Sequence, residues 1–395
     1  MERKNYTVAV DLGSSNVVVA VGEKNAEERL DVVCVVSKPV EGVNAGKIEN
    51  IELVSRAIRE AVSEAEQQLG IRITEAYAGI SGDFVRCARH TDHVFVYDPQ
   101  NGVNQKDVDA LFDRMRNVQA PDDETIMDRV PQNYVVDDNQ EVKNPVGSFG
   151  KKLSSTFNFI LCLKTPMQRL DMALKRVGIK MLSVTSNAIA TAEAVLLPDE
   201  KEEGVAVVDI GGGTAEVAVI SMGSIVASRS VRSAGDEFEK EIIAYVKRKY
   251  NVLIGDRTAE EIKIAIASAA PYEGEEPYSV MGRNLVDGFP KEVTLTPAEI
   301  REVLSEQIGV IIDAILTTLE RTPPELSADI LETGITLAGG GAMLHGMDKL
   351  VAQQTGMPVF IAEEPLDCVA RGTGAILESP ETFSRTLFFD NRPSR

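Results

Sequence analysis

Apolar and β-branched residues run almost unbroken from Val8 to Val21, VAVDLGSSNVVVAV, interrupted once by a polar stretch containing a glycine. Two β-branched runs around such a break predict a hairpin. The pattern returns about half the chain later, from Val207 to Val219, as VVDIGGGTAEVAV. Laying Asp11 on Asp209 lays Leu12 on Ile210, Gly13 on Gly211 and Asn16 on Thr214. Val19, Ala20 and Val21 then fall on Val217, Ala218 and Val219. Self-similarity of this kind reports a repeated structural unit. Elsewhere the period is helical. Ile300, Val303, Leu304, Ile308, Ile311, Ile312, Ile315 and Leu319 mark one buried face of a helix over Glu299 to Glu320. A second helix is predicted from Ala188 to Leu197. A third opens at Thr258, with Glu261 three residues on as a capping box. A short strand, Gly334 to Ala338, leads into Gly339-Gly340-Gly341-Ala342-Met343-Leu344.

A turn built of small residues leaves backbone N–H groups exposed. Two such turns facing one another would enclose a polyphosphate, with Asp11 and Asp209 placed to hold Mg2+, which takes few carboxylates and completes its shell with water and phosphate oxygens. Against this stands the plainer reading of two ordinary hairpins, in which Asp is favoured for its own hydrogen bonding. The three glycines after a strand allow backbone to approach a ligand closely, or allow tight strand–helix packing. No GxxxxGK[ST] and no GxGxxG occurs, so the commoner nucleotide folds lack support.

Composition narrows the classes. A chain of 395 residues, 44% hydrophobic, is long enough for two sizeable lobes. A net charge of −20 argues against gripping nucleic acid through its phosphates, while leaving a nucleotide possible through backbone donors and a metal. Cys34, Cys87, Cys162 and Cys368 are scattered, with no CxxC pair, which suits reduced thiols. His90, His93 and His345 stand apart from any ligand cluster and are assigned no metal. With no signal-peptide pattern and no bilayer-length apolar segment, a cytoplasmic location is expected.

DLGSSN, VVDIGGGTAEV and TLAGGGAML, in this order, resemble the phosphate 1, phosphate 2 and adenosine motifs of the actin, sugar-kinase and heat-shock-chaperone ATPase superfamily. Residues from Tyr6 to about Gly213 resemble the division protein family FtsA, through VEGVNAGKIENIE, AYAGISG and VPQNYVVDDNQEVKNPVG. From about Thr214 onward the chain resembles the rod-shape family MreB, through YVKRKYNVLIGDRTAEEIKIAIASA, TPPELSADILETGITLAGGGAML and EEPLDCVARGTGAIL. The resemblance implies an α/β, actin-like (ribonuclease H-like) fold of two lobes with a nucleotide cleft between them. It divides the chain into a first lobe (1–83), an FtsA-like small subdomain (84–163), the return of the first lobe (164–200), an MreB-like second lobe (201–378) and a tail (379–395).

It also assigns roles. Asp11 and Asp209 would face Mg2+ through water. Gly13, Ser14, Ser15 and Asn16 would line the phosphates of ATP from one side, and Gly211, Gly212, Gly213 and Thr214 from the other. Thr214 matches a threonine that helps position attacking water. Glu260 and Lys263, neighbours on a helix, would meet ribose and adenine, opposite Gly339, Gly340, Gly341, Ala342 and Met343. Asn187 falls where MreB has a glutamate that polarises water. An amide orients water but cannot act as a base, so at most a slow ATPase is implied. Glu193, further along that helix, is expected at its surface or end.

The leading expectation is an FtsA-type division protein that polymerises head to tail and links FtsZ to the inner membrane face, with no nucleic-acid partner. An MreB-like cell-shape filament is the alternative, and a sugar or acetate kinase of the same fold is the enzyme alternative. The tail, SPETFSRTLFFDNRPSR, places Phe383, Leu387 and Phe388 as one helical face, short for an interfacial anchor.

Overall fold

Valine-rich alternation and glycine turns build the first lobe as a meander. A computed structural model describes residues 6–24, 30–44, 46–80, 84–369 and 371–373. β1 (Tyr6–Leu12), β2 (Asn16–Lys24) and β3 (Leu30–Pro39) run antiparallel in sequence, and β4 (Val43–Asn44) pairs with β5 (Lys47–Ile48). α1 (Ile51–Leu69) starts where the Asn50 side chain accepts from the Glu52 and Leu53 N–H groups, and it stops at Gly70, which takes a left-handed conformation. Val54, Ala57, Ile58, Ala61, Val62 and Ala65 recur at helical spacing and are buried on the meander. β6 (Glu75–Ile80) then lies parallel to β1.

The chain next leaves the lobe to form a small module. β7 (Val85–Phe95), α2 (Gln105–Arg116), β8 (Glu124–Val136), β9 (Gln140–Val142) and β10 (Lys152–Leu163) give an antiparallel sheet in the order β7-β10-β8-β9. α2 packs on one face, closing a core with Leu111, Met115, Phe157, Phe159 and Leu161. α3 (Lys164–Val177) and β11 (Lys180–Ser186) complete the first lobe's sheet in the order β3-β2-β1-β6-β11. α4 (Asn187–Val195) and α5 (Pro198–Glu203) lead onward.

The second lobe repeats the plan. β12 (Val205–Ile210), β13 (Ala215–Ser221) and β14 (Ser224–Val231) form its meander, followed by α6 (Gly235–Tyr250), β15 (Val252–Leu253), α7 (Asp256–Ile266), β16 (Tyr278–Asn284), β17 (Pro290–Leu295), α8 (Pro297–Glu320) and α9 (Pro324–Thr333). β18 (Ile335–Ala338), a 3-10 turn (Gly340–Met343), α10 (Met347–Thr355) and β19 (Val359–Ile361) follow. The main sheet has the order β14-β13-β12-β18-β19, the same arrangement of a meander with two parallel strands beside its first strand. β15, β16 and β17 make a separate sheet. α8 buries Ile300, Leu304, Ile308, Ile311, Ile312 and Ile315 as its periodicity predicts, and its start is fixed by a Thr296/Glu299 capping box.

The structure differs from the sequence at one helix start. α7 begins after Gly255, so Thr258 lies inside its first turn and caps nothing; Glu261 pairs instead with Arg257. Glu193 lies in the last turn of α4, at the helix end as expected, in a part-buried ion pair with Lys201. The sequence also gives no hint that the module's base is fastened to the second lobe. Ile160 and Cys162 of β10 share one apolar cluster with Ala218, Ile220 and Ile225 of the second meander. The 379–395 tail lies outside the described residues.

Candidate functional site between the two lobes

The repeated hairpins superpose in register as well as in sequence. Asp11 faces Val18 across β1–β2, and Asp209 faces Glu216 across β12–β13. Each aspartate is the penultimate residue of its strand, and each turn closes alike. The Gly13 N–H donates to the Asn16 carbonyl at 2.9 Å, and the Gly211 N–H to the Thr214 carbonyl at 2.9 Å. Each aspartate also has a glycine on the adjacent parallel strand or at its end. A Cβ on Gly79 would stand 3.1 Å from Asp11 Oδ1, and one on Gly339 would overlap Asp209 Oδ1. Gly339 in addition takes a φ of +78°, in the region that favours glycine.

The turns meet across the lobes. Ser15 Oγ donates to Asp236 Oδ1 at 3.1 Å and lies where a side chain on Gly212 would have to go. Asp236 opens α6, whose first N–H groups are drawn to the second turn: Gly235 donates to the Gly211 carbonyl at 3.2 Å and Asp236 to that of Gly212 at 2.8 Å. Ser14 Oγ accepts from the Gly46 N–H at 3.0 Å, Asn16 is exposed, and Gly213 and Thr214 are half-buried.

The two carboxylates are close enough to feel each other. Burial pushes the Asp11 carboxyl up to about 6; the Asn187 amide opposes this, and the charge of Asp209 adds to it. Burial likewise raises Asp209, opposed by the Thr191 hydroxyl. Both opposing donors come from one face of α4. Asn187 Nδ2 donates to Asp11 Oδ1 at 2.9 Å, and Thr191 Oγ1 donates to Asp209 Oδ2 at 3.0 Å. Asn187 Oδ1 is buried without a hydrogen-bond partner among the described residues.

Lys263 of α7 is half-buried and ion-paired with Glu239 of α6. Its Nζ would lie 3.4 Å from a Cβ on Gly235, so it reaches the edge of the second turn. Glu260 is exposed one turn away, and its charge raises Glu239, for which burial is the main cause. Of the glycine run, Gly339 and Gly341 pack on Ile210, where side chains would overlap it, so tight packing accounts for both. Gly340 has only Leu366 near, Ala342 is buried, and Met343 is 58% exposed. Thus Asp11, Asp209, Asn187 and both turns converge, with Lys263 at their margin. Thr191, Asp236 and Gly79 join them unforeseen. The spacing of Asn187 and Thr191, four apart on a helix of small apolar residues, is the signal that could have found Thr191.

The family model for the MreB/Mbl protein matches residues 164–385, and that for the SHS2 domain inserted in FtsA matches residues 82–161. The MreB/Mbl match therefore takes in the return of the first lobe as well as the second lobe. The cell shape-determining protein Mbl of Bacillus subtilis is 52% identical over 173 residues, covering 44% of this chain and 52% of the relative. The Mbl protein of Bacillus cereus is 43% identical over 234 residues, covering 58% of this chain and 70% of the relative. The chain thus spans between about half and seven-tenths of the length of these curated relatives. In fold it is similar to MreB5 of Spiroplasma citri bound to ADP, with a TM-score of 0.64 and 23% identity over 95% of this chain and 98% of that one. It is also similar to the MamK double helical filament, with a TM-score of 0.57 and 15% identity over 94% and 98% of the two chains. These neighbours identify the fold as actin-like.

Proposed function

We propose, from the premise that this chain belongs to the MreB/Mbl protein family, that it is an ATP-binding cell-shape filament protein carrying an FtsA-type SHS2 domain. The actin-like cytoskeletal class holds. Within it, the balance shifts from the division reading expected of the first half to the cell-shape one. The MreB/Mbl match covers residues 164–385, the SHS2 match only 82–161, and the curated relatives are named for cell shape.

The observation that carries nucleotide binding is the meeting of Asp11 and Asp209 from matching turns of the two lobes. Two half-buried carboxylates, with neutral Asn187 and Thr191 as their hydrogen-bond donors, fit a divalent cation better than they fit each other. Mg2+ takes one or two carboxylates together with phosphate oxygens, and when bound it would neutralise charge on a nucleotide's phosphates. Asp11 and Asp209 would hold it. Gly13, Ser14, Ser15 and Asn16 on one side, and Gly211, Gly212, Gly213 and Thr214 on the other, supply donors to the phosphates. Glu260, Lys263, Gly340 and Met343 are the groups offered to the nucleoside, with Gly339, Gly341 and Ala342 shaping the backbone behind them.

Turnover on this machinery is slow. Asn187 donates to Asp11 through its Nδ2, and its Oδ1 is buried against Gly79 without a hydrogen-bond partner among the described residues. An amide in this position takes no proton from an attacking water. Thr214, in the facing turn, is the group offered for positioning the attacking water. MreB5 bound to ADP and the MamK filament, both of this fold, support nucleotide-linked head-to-tail assembly.

Sedimentation of purified protein with ATP and Mg2+, with and without lipid vesicles and FtsZ, tests the reading. ATP-dependent pelleting indifferent to FtsZ is the expected result. Pelleting that requires FtsZ would return the protein to the division reading, which the SHS2 match supports. Material that stays in the supernatant with ATP under all conditions would contradict assembly.

A further inference from the structure

We propose that Thr191 is a positioning residue for Asp209, so that one turn of α4, carrying Asn187 and Thr191, sets the carboxylates of both lobes toward each other. This rests on the reading of the cleft as a Mg2+–ATP site. Thr191 is fully buried on a helix whose other buried residues, Asn187 apart, are the apolar Ala188, Ile189, Ala190 and Ala192. A hydroxyl in such surroundings is costly unless it is hydrogen-bonded. Mid-helix threonines commonly bond the carbonyl four residues back. Here Oγ1 instead donates to Asp209 Oδ2 at 3.0 Å.

The other oxygen of Asp209, Oδ1, lies against Gly339, where a Cβ would overlap it. The carboxylate is therefore fixed from both sides: by a hydroxyl on one oxygen and by a bare glycine backbone at the other. Asn187, four residues earlier on the same helix face, holds Asp11 Oδ1 at 2.9 Å. α4 follows the last strand of the first lobe's sheet and precedes the first strand of the second's. Its C-terminal turn is anchored by the part-buried Glu193–Lys201 ion pair to α5. Both side-chain bonds can form at once only when the lobes take one relative setting. α4 thereby couples the orientation of each carboxylate to the closure of the cleft.

The consequence is specific to the metal. Without the hydroxyl, Asp209 keeps its place on β12 and the turns keep their backbone donors, but the carboxylate loses its fixed rotation. Nucleotide contacts that do not involve Mg2+ are untouched. The test compares wild type with Thr191→Val, which matches threonine in shape, with Thr191→Ala, which fits the buried position should valine disturb it, and with Thr191→Ser. Each is titrated calorimetrically with ATP, once in Mg2+ and once in EDTA.

Wild type is expected to bind ATP more tightly in Mg2+. Val and Ala are expected to lose about ten-fold of that gain, the scale on which partners behind metal-facing groups act, with affinity in EDTA unchanged. Ser is expected to restore it. A Mg2+ gain undiminished in both Val and Ala would overturn the role of Thr191 and leave the cleft reading intact. An equal loss in Mg2+ and in EDTA would also overturn it, by showing a general structural effect. Wild type that binds no ATP in Mg2+ would remove the cleft reading, and this role with it.

Discussion

Asp11 and Asp209 are each half-buried near another carboxylate, a condition that costs stability unless a donor or cation relieves it. The glycines beside them show how little room the arrangement leaves. Gly339 combines a φ of +78° with a contact on Asp209 Oδ1 that excludes a side chain. Gly339→Ala is therefore expected to lower stability by about 1–3 kcal/mol and to weaken ATP binding with it, read by urea unfolding and nucleotide titration. Far from the cleft, Glu299 gathers the Lys249 ammonium, the Tyr245 and Tyr250 hydroxyls and the Thr296 cap. Burial pushes its carboxyl up, but the hydrogen bonds from Lys249, Thr296 and Tyr245 outweigh this and bring it to about 2. A depressed carboxyl contributes stability present above its unfolded value and lost as pH falls toward the folded one. The thermal midpoint of wild type should therefore fall more steeply than that of Glu299→Gln as pH drops from about 4.5 toward 2. Parallel curves would count against the network. Residues such as Asp11 and Asp209 were legible because the chain repeats their setting. Thr191 was marked only by its place four residues after Asn187 on a helix of small apolar residues, and its partner Asp209 emerges only in the fold.

Elements with a strong period declared themselves. α8 buries six of the eight residues its spacing marks and packs Val303 and Leu319 part-buried against the same core, and Leu304→Ala should cost about 2–5 kcal/mol through the cavity it leaves, measured as a shift in urea midpoint at unchanged m-value. Charged Glu302, on the same helix, should be replaceable by Ala within about 0.5 kcal/mol. Boundaries were harder. Thr258 and Glu261 carry the letters of a capping box, yet Gly255 adopts the extended conformation of a cap and Asp256 supplies the acidic first turn that a helix N-terminus favours. Local letters proposed one start, and the backbone freedom of a glycine three residues earlier decided another. The glycine run after β18 mixed both of its readings. Gly339 and Gly341 are required by packing on Ile210, whereas Gly340 is the one left open.

At the scale of the whole molecule, the duplicated plan was visible in the repeat of two hairpins, because a strand-turn-strand with an aspartate beside its turn is short enough to be written locally. The SHS2 insertion was visible only through resemblance. Its fastening to the second lobe, through Ile160, Cys162, Ile220 and Ile225, was not, because apolar residues in strands do not name their partners. Closure of the lobes should be paid in binding energy: at ATP concentrations about 100-fold above the dissociation constant, Mg2+–ATP should stabilise the fold by about 2.7 kcal/mol, seen as a raised thermal midpoint. The most direct test of the cleft itself is calorimetric titration of Mg2+–ATP into wild type, Asp11→Ala and Asp209→Ala. The expected result is at least about a ten-fold loss of affinity in each variant, with far-UV circular dichroism unchanged. Wild-type affinity retained in both variants would contradict a shared site between the lobes.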